Sequence, residues 1–156
     1  MTPAIKRLNK SRIQHQIHSY KHDDNNPAYG LEAADKLGLD PAQVFKTLIV
    51  TIDQKRLAVA IVPVTCLLDL KQMARALKGK KAAMAEAADA ERATGYVVGG
   101  ISPVGQKKRL PTVIDNSAKQ FSRIFVSAGR RGLEIELSTD DLCQIAGAIY
   151  FDIAQK

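Results

Sequence analysis

Two periods run through this chain. Apolar residues spaced three and four apart mark helices, and short stretches of alternation or unbroken β-branched residues mark strands. Thr2-Pro3 reads as a helix start, a hydroxyl N-cap with proline at the first helical position, and Ile5 and Leu8 carry that helix to about Lys10. From Ile13 to Tyr20 the pattern alternates, with Ile13, His15, Ile17 and Ser19 on one face, which predicts a strand. A polar loop over Lys21–Gly30 precedes a helix at Leu31–Leu37, stopped by Gly38. Asp40-Pro41 caps a brief turn before the most β-prone run, Val44–Ile52, and Asp53-Gln54-Lys55 joins it to a second strand at Leu57–Pro63. Asp69–Leu77 is amphipathic through Leu70, Met73, Ala74 and Leu77 and ends before Gly79. A short strand at Lys81–Met84 and an alanine-rich helix at Glu86–Thr94, closed by Gly95, follow. Strands are predicted at Thr112–Asp115, Arg123–Ser127 and Gly132–Leu137, then a Ser138-capped helix bearing Leu142, Ile145 and Ala146, then a strand at Ala148–Ile153. This irregular alternation predicts an α/β chain of mixed, α+β-like class. It favours one mixed, strongly curved sheet packed by helices over a doubly wound parallel sheet.

Composition narrows the function classes. At 156 residues the chain reads as one domain, 1–156, able to bury a core without staples. Aromatics make up 5% and tryptophan is absent, which argues against a surface that stacks many bases in succession. The net charge of 23 − 16 = +7 makes a polyanionic partner plausible. Cys66 and Cys143 follow no CxxC pattern and read as buried thiols of a reducing compartment. The start of the chain has no apolar h-region, and no apolar run approaches membrane-spanning length. A cytoplasmic protein with no membrane partner is expected.

The chemistry concentrates in Gly95–Arg109, which holds four of the ten glycines, Pro103 and a three-residue basic run. Glycines let a ligand approach backbone amides without meeting a Cβ. Such a loop followed by positive charge suits a carbonyl or phosphate on a polyanionic body. Two familiar motifs fail here. Gly100 to Gly105 has the gap of a P-loop, but Gln106 stands where the lysine belongs. Gly100-Ile101-Ser102-Pro103 starts like a nucleophile elbow, but Val104 holds the closing glycine position. A second oddity is Lys46, which interrupts the apolar strand on the same face as Val44, Leu48 and Val50, so its stem should lie over apolar surface.

Phe45-Lys46-Thr47 and Gly99-Gly100-Ile101-Ser102-Pro103 together resemble the YbaK/EbsC family, free-standing relatives of the editing domain inserted in bacterial prolyl-tRNA synthetases. The resemblance runs nearly end to end. It includes Thr2-Pro3-Ala4, Tyr20 with His22-Asp23, Glu32-Ala33-Ala34, Leu48-Ile49-Val50, Gly95 through Arg109, and Ser127 through Leu133. It implies the barrel-like editing-domain fold and a trans-editing deacylase that removes cysteine from mischarged tRNA(Pro), with Cys-tRNA(Cys) as a second substrate. By the same resemblance, Lys46 falls on the essential lysine, and Gly99, Gly100 and Ile101 fall on the loop whose amides face the aminoacyl carbonyl. Tyr20, Phe45, Thr47, Ser102, Pro103, Ser127 and Gly129 become crevice residues. Relatives often have Ser-Gly-Gly where this chain has Ser127-Ala128-Gly129, and the added methyl either narrows the pocket wall or is silent.

No protein nucleophile is expected. His15, His18 and His22 have spacing that would suit a helix-borne metal site, but the local pattern is extended and no Cys or Glu completes a set. They read as histidines satisfied by backbone, and no metal or cofactor is assigned. In the resembling family the substrate's own thiol closes on the ester. Lys107, Lys108, Arg109, Arg130 and Arg131, with Lys78, Lys80 and Lys81, are candidates for acceptor-stem phosphates or, alternatively, a solvated face. Prolyl-tRNA synthetase is the partner the resemblance implies. Two alternatives stay open: a non-catalytic aminoacyl-tRNA or synthetase-binding module, and a deacylase for another substrate such as Ala-tRNA(Pro).

Overall fold

The computed structural model describes residues 1–25 and 29–155, so the part of the predicted polar loop at 26–28 lies outside it. Helix α1 (Pro3–Lys10) starts where the hydroxyl cap requires, with Thr2 extended and its Oγ1 accepting from the Ile5 N–H at 3.3 Å. Strand β1 (His15–Ser19), helix α2 (Tyr29–Leu37) and an Asp40-capped 3-10 turn at Pro41–Gln43 lead into the central hairpin. That hairpin pairs β2 (Phe45–Ile52) with β3 (Arg56–Pro63) along its whole length, from Phe45 opposite Pro63 to Ile52 opposite Arg56. Then come β4 (Leu67–Leu68), α3 (Leu70–Ala76), β5 (Ala82–Met84), α4 (Ala87–Thr94) and β6 (Thr112–Asp115). A 3-10 turn at Asn116–Gln120 leads to β7 (Arg123–Arg130), β8 (Leu133–Ser138), α5 (Thr139–Ala146), β9 (Ala148–Phe151) and β10 (Ala154–Gln155).

The expected mixed character is present. A five-stranded sheet in the order β5-β2-β3-β6-β9 has antiparallel pairs around β2 and parallel pairs at β3–β6 and β6–β9. It is buried on both faces, which is why β2 and β3 read as nearly continuous apolar runs. On one side Phe45, Ile49, Val59 and Ile61 pack with Leu8 of α1, Ile124 and Val126 of β7, and Leu142 of α5. On the other, Val50, Ile52, Ala60 and Val62 pack with Met73 and Ala74 of α3 and with Ile153.

The single curved, barrel-like sheet does not form. The strands divide into sheets of five, three (β1-β8-β7) and two (β10-β4). The reason lies at the outer edge of β2. Three-residue β5 pairs there only with Val50–Ile52, and the Ala85 N–H adds one bond to the Ile49 carbonyl at 3.0 Å. The isolated bridge from Val44 to Phe125 lies just before β2, and among the described residues no ladder pairs Phe45–Leu48 on that edge, although Phe45 and Ile49 pack against Ile124 and Val126 of β7. The ladder stops and a gap opens. Two local expectations also shift. Ile17, placed inward by alternation, is 40% exposed, and His18 packs against the Phe125 ring instead. Strand β7 runs past Ser127 to Arg130 through a register shift at Gly129, whose φ of +113° suits glycine.

Candidate active site

The gap beside β2 is a cavity of about 590 Å³, within the usual range for ligand sites. Its walls are largely apolar, with Phe45, Leu48 and Ile49 of β2 facing Val64, Val98 and Ile101. Lys46 enters from β2. Its ammonium is half-buried, and burial pulls its pKa below the ordinary lysine value, partly offset by the nearby Cys66 thiol. Contrary to the buried thiols expected from the sequence, Cys66 is only partly buried and lines the same cavity; Cys143 is likewise only partly buried, and both thiols are free. Thr47 lines the cavity too, and its buried Oγ1 has no hydrogen-bond partner among the described residues.

The Gly95–Arg109 loop forms one wall, and most of its backbone is tied down. Gly95 closes α4 in a left-handed conformation with φ +81°. The Val98 N–H donates to Glu91 Oε2 at 2.9 Å, and the Tyr96 hydroxyl donates to the Val104 carbonyl at 2.6 Å. The Lys107 and Lys108 amides donate to the Thr94 and Ala93 carbonyls at 2.9 and 3.0 Å. Among the described residues no partner takes the Gly99 or Ile101 N–H, and both residues line the cavity. Gly100 departs from the expectation of a bare amide. Its N–H donates to the Val97 carbonyl at 2.9 Å, and it is buried against β7, where an added Cβ would lie 2.7 Å from the Arg130 Cα. Its glycine serves close packing, not ligand approach.

Of the other residues singled out in the sequence, Tyr20, Phe45, Ser127, Arg130 and Arg131 line the cavity with Lys46. Ser102, Pro103 and Gly129 do not. Ser102 is fully buried and its Oγ accepts from the Val104 N–H at 3.2 Å. Pro103 faces a different concavity behind the loop. At Gly129 an added Cβ would lie 2.7 Å from the Tyr96 ring. Ser127 is held by accepting from the Gly129 N–H at 3.1 Å. Ala128 points into the main apolar cluster with no exposed surface, so its methyl is core and not pocket wall.

The basic residues separate as well. Arg131 is a strut: it donates to Glu32 Oε1 at 3.0 Å and to the Asp23 carbonyl, and its guanidinium lies 4.4 Å from the centre of the Tyr29 ring. Burial alone would raise the Glu32 carboxyl, but the Asp23 amide and Arg131 outweigh it and hold the pKa below the ordinary value. Lys108 and Arg109 line the concavity behind the loop, while Lys107 is exposed. Lys78, Lys80 and Lys81 sit near the β2–β3 turn, where Asp53 Oδ1 accepts from the Lys80 and Lys81 amides at 2.9 and 2.8 Å. Only one histidine follows the backbone expectation: His15 Nδ1 bonds the Ile13 carbonyl at 2.7 Å, whereas His18 pairs with Glu136 at 2.9 Å and His22 with Asp24 at 3.0 Å.

Sequence reasoning missed Glu134. In Leu133-Glu134-Ile135-Glu136-Leu137 the alternation puts both glutamates on the face away from the core, where each reads as solvated. Glu136 does find partners there, in His18 and Arg123. Glu134 instead lies opposite Ser127 on β7 and His18 on β1 and lines the cavity with only 7% of its surface exposed. Among the described residues its Oε2 has no partner, and burial pushes its pKa up to about 8. A buried unsatisfied carboxyl oxygen and an unsatisfied threonine hydroxyl in one cavity mark a place shaped for a polar ligand. The Tyr20 hydroxyl is pushed upward by burial and by this same carboxyl.

Comparison with known proteins gives the family. The family model described as the aminoacyl-tRNA editing domain matches residues 26–145. EbsC of Enterococcus faecalis, whose name assigns it provisionally as a Cys-tRNA(Pro)/Cys-tRNA(Cys) deacylase, is 32% identical over 155 residues, covering 99% of this chain and 94% of EbsC. A solved structure described as a candidate trans-editing enzyme for prolyl tRNA synthetase shares the fold with a TM-score of 0.81 at 20% identity, covering 100% of this chain and 99% of that one. The hypothetical protein APE2540 does so with a TM-score of 0.85 at 23% identity, covering 99% of this chain and 100% of that one. The cavity at the open edge of β2 therefore belongs to a member of the aminoacyl-tRNA editing domain family.

Proposed function

We propose that this chain is a trans-editing deacylase that removes cysteine mischarged onto tRNA(Pro), using the thiol of the substrate as the attacking group. The observation that carries the proposal is convergence: the Lys46 ammonium and the open amides of Gly99 and Ile101 share one apolar-walled cavity with the unsatisfied Glu134 carboxyl. Lys46 holds the phosphate or ribose of the 3′-terminal nucleotide and contributes through positioning. The Gly99 and Ile101 N–H groups receive the carbonyl oxygen as it gains negative charge, a kind of donor worth a few kcal/mol of barrier when fixed in place. Glu134 meets the α-ammonium of the aminoacyl group and releases its proton to solvent as that cation enters.

The chemical step balances without a protein nucleophile. The cysteinyl sulfur bonds to the carbonyl carbon, the carbon–oxygen ester bond breaks, and the thiol proton ends on the ribose oxygen. The products are free tRNA and a cysteine thiolactone, which water opens. Serine is a poor substrate because its hydroxyl is a weaker nucleophile than a thiol near neutral pH, and alanine lacks any such group. Transfer RNA identity is supplied by prolyl-tRNA synthetase in a transient complex.

The test is turnover of tRNA(Pro) charged with cysteine, serine or alanine by the parent and by Lys46→Ala. The expected result is preference for the cysteinyl ester and a loss of about a hundredfold in Lys46→Ala, the scale of a misplaced substrate. Equal turnover of the three esters would transfer the attacking role to water or a side chain. Full activity in Lys46→Ala would remove that residue from the mechanism.

A further inference from the structure

We infer that the concavity behind the Gly95–Arg109 loop is the track for the phosphodiester backbone of the RNA, with α1 supplying more than half of its charge. This deepens the deacylase reading and rests on it for the identity of the RNA. The concavity, about 430 Å³, is floored by Pro103, Gly105 and Gln106 and walled by α1 on one side and Lys108 and Arg109 on the other. Helical spacing makes the α1 wall. Ala4 and Leu8 are fully buried, while Lys6, Arg7 and Lys10 project from the opposite stripe into the concavity.

Five cationic side chains thus surround one hollow that, among the described residues, no acidic residue lines. Among the described residues none of the five is in an ion pair, whereas Arg92, Arg123 and Arg131 each have a carboxylate. Like charges gathered around a hollow repel, and a polyanion relieves that repulsion. The two walls are also fixed relative to each other. Gly105, at φ +73°, presses so close to α1 that an added Cβ would lie 2.7 Å from the Pro3 carbonyl oxygen. On the other side, the Lys108 amide is tied to the last turn of α4. Lys108 also lines the neighbouring groove with Lys55 and Arg56, where the acidic Asp89 is paired with Arg92. The loop therefore has two working faces, one toward the ester and one toward the phosphates.

The alternative is a solvated helix face whose last-turn cations complement the helix dipole. The variant K6Q/R7Q/K10Q separates the two, since glutamine keeps helix propensity and the Thr2 cap is untouched. The binding of uncharged tRNA(Pro) is measured against KCl concentration for the parent, this variant, and K71Q/R75Q, which removes two cations from α3 on the opposite face of the central sheet. Loss of three phosphate contacts should flatten the log–log salt slope by about 3 and weaken low-salt binding about tenfold or more, with the α3 variant matching the parent. Unchanged slope and affinity in K6Q/R7Q/K10Q, or equal loss in both variants, would overturn the track.

A second arm compares kcat/KM for Cys-tRNA(Pro) with that for a cysteinylated CCA trinucleotide, which is too short to occupy both faces of the loop. The ratio should fall in K6Q/R7Q/K10Q and hold in the α3 variant; a constant ratio overturns the track. A parent that cleaves neither ester yet binds tRNA with the altered slope in K6Q/R7Q/K10Q would sink the deacylase reading while supporting the track.

Discussion

The two faces of the Gly95–Arg109 loop work by opposite electrostatic means. The front, at Val98–Ile101, borders a largely apolar cavity in which two side-chain oxygens, Thr47 Oγ1 and Glu134 Oε2, are buried and unsatisfied among the described residues. The back, at Pro103–Arg109, borders a hollow rich in exposed charge. In a low-dielectric cavity each polar group matters, because leaving one unpaired costs about 1–3 kcal/mol and pairing it recovers that cost. On an exposed surface each charge is screened and weak, and only the sum over several phosphates produces affinity. Front residues should therefore control chemistry with at most one phosphate's share of the salt dependence, and back residues should carry most of that dependence.

The sharpest way to break that contrast is Lys46→Ala. Its roughly hundredfold loss of turnover should come with a change of at most about 1 in the salt slope of tRNA binding, the share of one phosphate contact, against about 3 for K6Q/R7Q/K10Q. A slope that flattened in Lys46→Ala as much as in K6Q/R7Q/K10Q would place Lys46 with the back-face cations. Arg131 tests the contrast from the other side, since it is basic yet already committed to Glu32, a pair whose side chains are only 16% and 1% exposed. Arg131→Ala strands a buried carboxylate and should destabilise the fold by about 3 kcal/mol in urea unfolding. Above the ordinary glutamate pKa the pair contributes in full. Its contribution is lost as pH falls through the lowered folded value, so parent and variant should converge in acid.

Glu134→Gln should act in the opposite pH direction. The parent carboxyl is raised to about 8 from its ordinary 4.5, so the folded state holds the extra proton. The parent then loses stability as pH rises from the unfolded to the folded value, and the variant does not. Thermal unfolding at pH 5, 7 and 9 should show the variant gaining on the parent at each step, and parallel curves would contradict the burial argument. The smallest effect is expected of Ala128→Gly. Losing a core methyl and adding backbone freedom should cost about 1 kcal/mol, with kcat/KM for the cysteinyl ester unchanged.

Local structure was legible wherever a single residue dictates backbone geometry. The caps at Thr2, Asp40 and Ser138 all accept the amides their positions require. Gly38 and Gly95, read as helix stops, adopt positive φ. Lys46 was conspicuous because a lysine inside an apolar strand violates the strand's own pattern. Glu134 was not, because alternation assigns a face without saying what covers that face, and its neighbour Glu136 has the same pattern in a different setting. Arg131 and Lys108 were indistinguishable as letters, both basic residues near glycine turns.

Periodicity, capping and composition determined the helices, most strand positions, the mixed α/β class and the residues worth watching. Tertiary structure alone decided that β2 would lose its outer neighbour and open a cavity, which amides of the loop stay free, and which cations are already paired. The physical reason is range. Caps, turns and side-chain periods act over three or four residues, whereas desolvation and charge pairing depend on groups as far apart in the chain as Glu32 and Arg131, brought together only by the fold.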